Sequence, residues 1–508
     1  MAVRDFTLFD VAQRNARLHA DATAFVCGAE RVTHAQFFTR IERLAAGLTR
    51  AGIRPGDRIC MLSQNSLAFV DLYGAAARCG AIVVPINWRL SGEEVAYIIS
   101  DSAPRIVIAD AELQATLEGL KNSLPGVERW YGMGGGTFAS YDELVAKEPS
   151  RDSLPPPHAD ADAGVVIFYT AAVGGRPRGA VLTHSGLLAA SVQLMHAWSL
   201  TPADVNLGVL PLFHLAGLTM LLATQHAGGR TIVMAKFDAD AALAQMRAEK
   251  VTLMAEFPPI LTTLLDKIEA GAPRDSLASL RAVTGLDSPE TITRLETMYP
   301  NARFWAAFGQ SETSGFVTLS PFRDKPNAAG RPAILHEVAV VDEMDRTLPA
   351  GAIGEIVVRG PGVFKGYWNC EADTAFTFRN GWHHTGDQGA FDADGYLWYK
   401  GRSPAKELIK PGGENVYPAE VEAAIAAHSA IAEVVVIGVP DTQWGEAVKA
   451  VCALKAAQSA TANEIIDFVG ARIARYKRPK HVVFVGALPR TAAGAIDRAA
   501  VKNEHGHA

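Results

Sequence analysis

The strongest constraint on the fold is a rhythm: short apolar runs bounded by turn residues alternate with longer stretches of helical periodicity. "RICMLSQNS" reads as a strand, "LAFVDLYGAAARCG" as a helix and "AIVVPINW" as the next strand, and the beat returns in "RTIVMAKFD", "ADAALAQMRAEK" and "VTLMAEFPP". Strands that are apolar throughout must be covered on both faces, so the alternation predicts an α/β protein with largely buried strands. After Gly330 the texture changes. "HEVAVVDEMDRTLPAGAIGEIVVRGPGVFKGYW" combines β-formers with Gly and Pro turns and predicts the hairpins of a separate β-rich subdomain.

A chain of 508 residues exceeds what one core fills, since single cores stop growing near ~250–300 residues. Gly401, Pro404, Pro411, Gly412 and Gly413 interrupt any regular element, and "AEVEAAIAAHSAIAEVVVIGVPDTQWGEAVKAVCALKA" beyond them reads as helix, strand, turn and strand. The expected organisation is an α/β multidomain chain. A large N-terminal domain (1–401) holds αβ-layered subdomains and the β-rich one, and a small α+β domain (408–508) follows a connection at 402–407. "RDSLPPPHADADAG" reads as a surface connector.

Charge and cysteine usage exclude several functions. With 54 acidic against 48 basic residues the net charge is −6, so no global positive field recruits nucleic acid. Cys27, Cys60, Cys79, Cys370 and Cys452 are scattered and contain no C-x-x-C pair, which argues against a disulfide framework and a zinc site and for a reducing, cytoplasmic setting. No apolar run is long enough to predict a transmembrane segment. "AVRDFTLFDVAQRNARLHA" is amphipathic and reads as a helix packed on its own domain.

"YTAAVGGRPRGAVLTH" (169–184) predicts a strand, a loop, a second strand and a helix starting near Thr183. Gly174, Gly175 and Gly179 let backbone N–H groups approach an anion, and Arg176 and Arg178 add positive charge. It is not a Walker loop, because G-K-[ST] is absent and a strand follows. Taken alone it could equally be a plain β-turn.

Along the chain it is joined in order by "PLFHLAGL" (211–218), "AAFGQSETSG" (306–315), "GWHHTGD" (381–387), "PGGENVYPAEVE" (411–422) and "LPRTAAGAIDRAAV" (488–501). Together these stretches resemble the adenylate-forming acyl-CoA synthetase superfamily. The resemblance implies two half-reactions: a carboxylic acid and ATP give an acyl adenylate and pyrophosphate, then the acyl group passes to the thiol of coenzyme A. It implies ATP, Mg²⁺ and coenzyme A as cofactors, a fatty or aryl acid as substrate, and a small domain that rotates about a hinge at 402–407, with Lys406 as the hinge residue. A homodimer is left open, as are transfer of the acyl group to a carrier protein and a nucleotide- or acyl-binding pseudoenzyme.

Carried over residue by residue, Glu312 matches the magnesium ligand, a hard oxygen donor of the kind Mg²⁺ takes. Thr170, Gly174, Gly175, Arg176 and Arg178 would cradle phosphate, Phe308 would stack on adenine, and Gln310 and Ser311 would contact the nucleotide. Asp387 would accept from the ribose hydroxyls. Arg402 would contact ribose or phosphate. Gly412 and Gly413 would line the pantetheine tunnel, while Phe257, Gly285, Leu286 and Ala307 would line the acyl pocket. His214 stands at the mouth of that pocket or is a buried histidine satisfied by backbone. His383 and His384 lack a third ligand for zinc. "RYKRPKH" (475–481) is a solvated basic face or a contact to coenzyme A phosphates.

Two departures matter. The family loop reads T-S-G-T-T-G-x-P-K-G, whereas only Thr170 keeps a hydroxyl here and Arg178 replaces lysine. The C-terminal motif ordinarily places a catalytic lysine after glycine, and here Ala495 follows Gly494. Losing such a donor costs on the order of 10²–10³ in rate, so adenylation is expected to be slow and thioester formation spared. Ala495 is then an engineered change, a natural variant in which Lys480 or Lys502 substitutes, or the mark of a pseudoenzyme.

Overall fold

The computed structural model describes residues 5–145, 156–158, 160–170, 176–402, 408–491 and 496–507. The apolar runs become two large sheets. One has eight strands in the order Gly366–Tyr367, Arg178–Thr183, Gly164–Thr170, Ile82–Ile86, Arg58–Leu62, Ile106–Asp110, Arg129–Met133 and Ala139–Ser140. Its centre is parallel, and every residue of Ile82–Ile86 is buried, which is why that run carries no polar alternation. The nine-stranded sheet runs Arg331–Pro332, Gly315–Pro321, Arg303–Gln310, Ala282–Gly285, Leu253–Glu256, Val205–Gly208, Arg230–Val233, Thr23–Cys27 and Glu30–Thr33. Helices His34–Arg50, Leu67–Cys79 and Leu215–His226 fill the space between the sheets, and one core joins Phe25 and Val233 of the second to Ile59, Met61 and Val83 of the first.

The helix starts are encoded locally. Thr33 and Gln36 form a capping box on His34–Arg50, and Ser91 and Glu94 form another on Gly92–Ser102, where Glu94 Oε2 accepts from the Ser91 amide at 2.7 Å. Helix Leu8–Leu18 buries Phe9, Val11 and Ala12 against its own domain, as expected. Among the described residues no helix is long and apolar enough to cross a membrane.

The β-rich segment forms a separate sheet of Glu337–Val341, Gly354–Arg359, Trp382–Phe391 and Phe378–Arg379, with Leu397–Arg402 pairing on Trp382–Phe391. That last pairing sets Asp387 opposite Arg402. The small C-terminal domain has a three-stranded sheet (Ile431–Asp441, Gly445–Leu454, His481–Val485) and helices Pro418–Ala426, Ala462–Gly470 and Arg498–His505. It closes over its own core of Ile409, Val421, Ile425, Val436, Val448 and Ile465. The expected hinge residue Lys406 lies outside the described residues, and Arg402 ends a strand.

Candidate active site

Strand Gly164–Thr170 pairs antiparallel with Arg178–Thr183, which sets Thr170 opposite Arg178. Gly174 and Gly175 lie outside the described residues. The Thr170 hydroxyl donates to Glu312 Oε1 at 2.9 Å, and the Tyr367 hydroxyl donates to the same oxygen at 2.9 Å. A short 3-10 turn, Ser311–Thr313, following strand Arg303–Gln310 presents that carboxylate, which is buried. The two arginines part company. Arg178 lies over the Tyr367 ring, 4.0 Å from its centroid, and pairs with Asp373 at 2.8 Å; Arg176 is exposed and sits over Tyr97. Arg178 therefore reaches Asp373 and the wall beside Glu312, with its charge already partnered.

Around Asp387, three side chains converge. Gln310 Nε2 donates to its Oδ2 and, at 3.0 Å, to the Thr385 carbonyl; the Tyr399 hydroxyl donates to Oδ1 at 3.1 Å; Arg402 Nε lies 3.1 Å from the same oxygen. Asp387 is 1% exposed and its neighbours are long side chains that hold it in one orientation. Phe308 is buried with Val317, Val338 and Ile356, and its ring lies 6.0 Å from Tyr399. His383 and His384 are used structurally: their rings meet Thr377 at 3.1 Å and Glu355 at 2.9 Å, and no cluster of three metal-binding side chains occurs among the described residues.

His214 is held by backbone, as one of its two readings expects. Its Nδ1 accepts from the Ala216 amide at 3.2 Å, capping helix Leu215–His226, and its ring stands edge-on to Phe257 at 6.0 Å. Burial pushes its pKa down to about 4, helped by Lys410 and Arg89, so the ring is neutral. Gly285 has φ +138°, and a Cβ there would overlap the Glu256 carbonyl oxygen. Only glycine fits. Leu286 beyond it is half exposed. Ala307 is half-buried, and Trp305 two residues earlier packs edge-on against Trp198 at 6.3 Å. Glu256 is fully buried against Asp287; burial, then that second carboxyl, raises its pKa well above the usual carboxylate range.

The small domain reaches this region. Gly412 and Gly413 have φ +57° and +82°, and a Cβ on Gly413 would come within 2.5 Å of the Phe257 ring. The left-handed glycines of loop Pro411–Gly413 bring backbone up against Phe257 and Trp444. Lys410, which sequence reading passed over, is accessible yet enclosed by protein; enclosure lowers its pKa, with Arg402 adding to the effect. In the basic run 475–481, Arg475, Arg478 and Lys480 are exposed, as a solvated face requires, and Lys477 is the exception. Lys477 is neither solvated nor free for phosphate, because it is buried between Glu94 and Glu420, and Lys480 pairs with Asp441. Ala495 lies outside the described residues.

Comparison with known proteins gives a concordant result. Residues 12–368 match the family model "AMP-binding enzyme" and residues 420–495 match "AMP-binding enzyme C-terminal domain". The chain is 34% identical over 494 residues to the indoleacetate–CoA ligase of Aromatoleum aromaticum, covering 95% of each. It is 51% identical to a protein of known crystal structure from Rhodopseudomonas palustris CGA009, with a TM-score of 0.75 over 79% of this chain and all of that one. Over 98% of both chains it superposes with a TM-score of 0.87, at 27% identity, on a double mutant of Bacillus subtilis o-succinylbenzoate CoA synthetase bound to its product analogue OSB-NCoA.

Proposed function

The chain belongs to the AMP-binding enzyme family, and from this premise we propose that it is an ATP-dependent carboxylic acid–CoA ligase working on a fatty or aryl acid. The observation that carries the reading is the meeting of loop Pro411–Gly413 with Phe257, next to Lys410, which is close enough to both His214 and Arg402 for the charges to be felt. A thiol entering beside the glycines would arrive at the acyl end of an adenylate whose ribose sits at Asp387 and Arg402. The close superposition on a synthetase carrying a CoA-product analogue supports this placement.

In the first half-reaction a carboxylate oxygen attacks the α-phosphorus of ATP and pyrophosphate leaves. Asp387, an acceptor-only group once ionised, suits the ribose diol, and Arg402 beside it balances its buried charge. Glu312 is a buried carboxylate that would suit Mg²⁺, an ion commonly held by one or two carboxylates with substrate phosphates completing its shell. Mg²⁺ there would neutralise charge on the phosphate oxygens. Arg178 supplies cationic charge in the wall, and Lys410 lies near enough to His214 and to Arg402 to be felt by both. In the second half-reaction the thiol sulfur attacks the acyl carbonyl and AMP leaves. The apolar surroundings of Phe257, Trp305 and Trp198 favour a hydrocarbon or aromatic acid.

A panel of fatty and aryl acids supplied with ATP, Mg²⁺ and coenzyme A tests the reading by mass detection of acyl-CoA. Formation of AMP and an acyl-CoA from at least one apolar acid is expected. Adenylate formation with no consumption of coenzyme A would replace it with transfer to another acceptor.

A further inference from the structure

Lys477 is the least expected side chain in the molecule. It is a lysine in an exposed-looking basic run, yet only 4% of its surface is accessible. Its ammonium bridges two carboxylates from different domains. Glu420 Oε1, in the first turn of helix Pro418–Ala426, accepts from it at 2.7 Å, and Glu94 Oε1, in the first turn of helix Gly92–Ser102, accepts from it across the domain boundary. The other oxygen of Glu94 accepts two amides: Ser91 at 2.7 Å within its own capping box, and Ala474 of the small domain at 3.0 Å. A second polar contact lies nearby. Arg89 pairs with Glu414, and Asn87 Nδ2 donates to Glu414 at 3.0 Å. Tyr476 is half-buried and close enough to feel Glu414, Glu94, Glu420 and Arg89.

The arrangement is conditional in a specific way. Lys477 and Glu420 belong to one domain and stay paired wherever it goes, whereas Glu94 joins them only when the small domain is docked as in this structure. Docked, Glu94 also fixes the amide of Ala474. The capping box orients the Glu94 carboxylate beforehand, so little side-chain freedom is lost on docking. The same docking brings Gly413 against Phe257.

We propose that Glu94 and Lys477 form an interdomain latch that holds the small domain in the thiol-accepting arrangement, and that both are positioning residues for the second half-reaction. The proposal rests on the ligase reading above. It predicts a selective defect: weakening the latch slows thioester formation and leaves adenylation alone, because neither residue touches the residues assigned to the nucleotide or the acyl group.

Glu94→Gln is the informative variant, since glutamine keeps the capping box and removes the charge. Lys477→Met is the reciprocal one. Each is assayed in the full chain with a chemically prepared acyl adenylate plus coenzyme A, for the second step, and by pyrophosphate exchange, for the first. Loss of one charge-assisted hydrogen bond predicts a decrease of about tenfold or more in the second step, with exchange within about twofold of the parent chain. Hydrogen–deuterium exchange of the peptide spanning 474–478 gives a readout that needs no activity, and its protection should fall in both variants. Unchanged protection in both variants overturns the latch, and so does a proportional fall of the two steps. If the parent chain makes no thioester at all, the ligase reading fails, while the exchange measurement still decides whether the latch exists.

Discussion

At Glu312 two hydroxyls, from Thr170 and Tyr367, converge on one carboxylate oxygen and stabilise its charge. Glu312→Gln keeps the shape and removes that charge, so pyrophosphate exchange should fall by roughly 100-fold or more, as for loss of a preorganised electrostatic contact, and added Mg²⁺ should not restore it. The reverse change is expected at Ala495. Ala495→Lys should raise the exchange rate by roughly 10²–10³, and no gain with any acid would show that the motif was misassigned. Thr170 and Glu312, and Asp387 and Arg402, were singled out by the family resemblance, and the structure sets each pair in contact. Tyr367, Tyr399 and Lys410 were not singled out, because a tyrosine near a carboxylate means nothing until strand pairing sets them together. Arg178 was read as a phosphate ligand, and the partner that occupies it, Asp373, stands 195 positions away in the folded neighbourhood of Tyr367, beyond the reach of any local pattern.

Loop Pro411–Gly413 works as a unit, because its two left-handed glycines let backbone rather than side chain face Phe257. Gly413→Ala should therefore abolish most thioester formation while adenylation persists, a split read by the same pair of half-reaction assays; equal loss of both would mean that the loop acts only on folding. The elements themselves were largely readable. Helix starts at Thr33 and Ser91 carry local capping signals, and wholly apolar strands such as Ile82–Ile86 announce burial on both faces. Within the run 475–481, Lys477 alone departs from the solvated face, for the opposite reason. Basic residues ordinarily face water, and what buries Lys477 is a pair of acids on other elements, one of them in the other domain.

For the whole molecule, the division into a large α/β domain with a β-rich segment and a small α+β domain follows from texture changes near Gly330 and Gly401, and the structure has it. Acid sensitivity is a property at the same scale. His34, His184 and His336 are buried as neutral rings that touch the Gly228 carbonyl, the Leu8 amide and Gln193, and with His226 each has its pKa lowered by burial from 6.5 to about 4. A histidine depressed in the folded state stabilises above its unfolded pKa, because the unfolded chain takes up protons first as pH falls. Thermal stability should hold at pH 7 and drop steadily from pH 6.5 toward about 4, and a melting temperature flat across that window would contradict the assignment.

Glu94 uses one carboxylate both to start a helix of the large domain and to receive the small one. The receiving surface therefore exists only while the first turn of Gly92–Ser102 is wound. Warming frays helix ends before cores melt, so the two domains should come apart at a temperature at which each is still folded, and delivery to the thiol should fail on heating while activation of the acid continues.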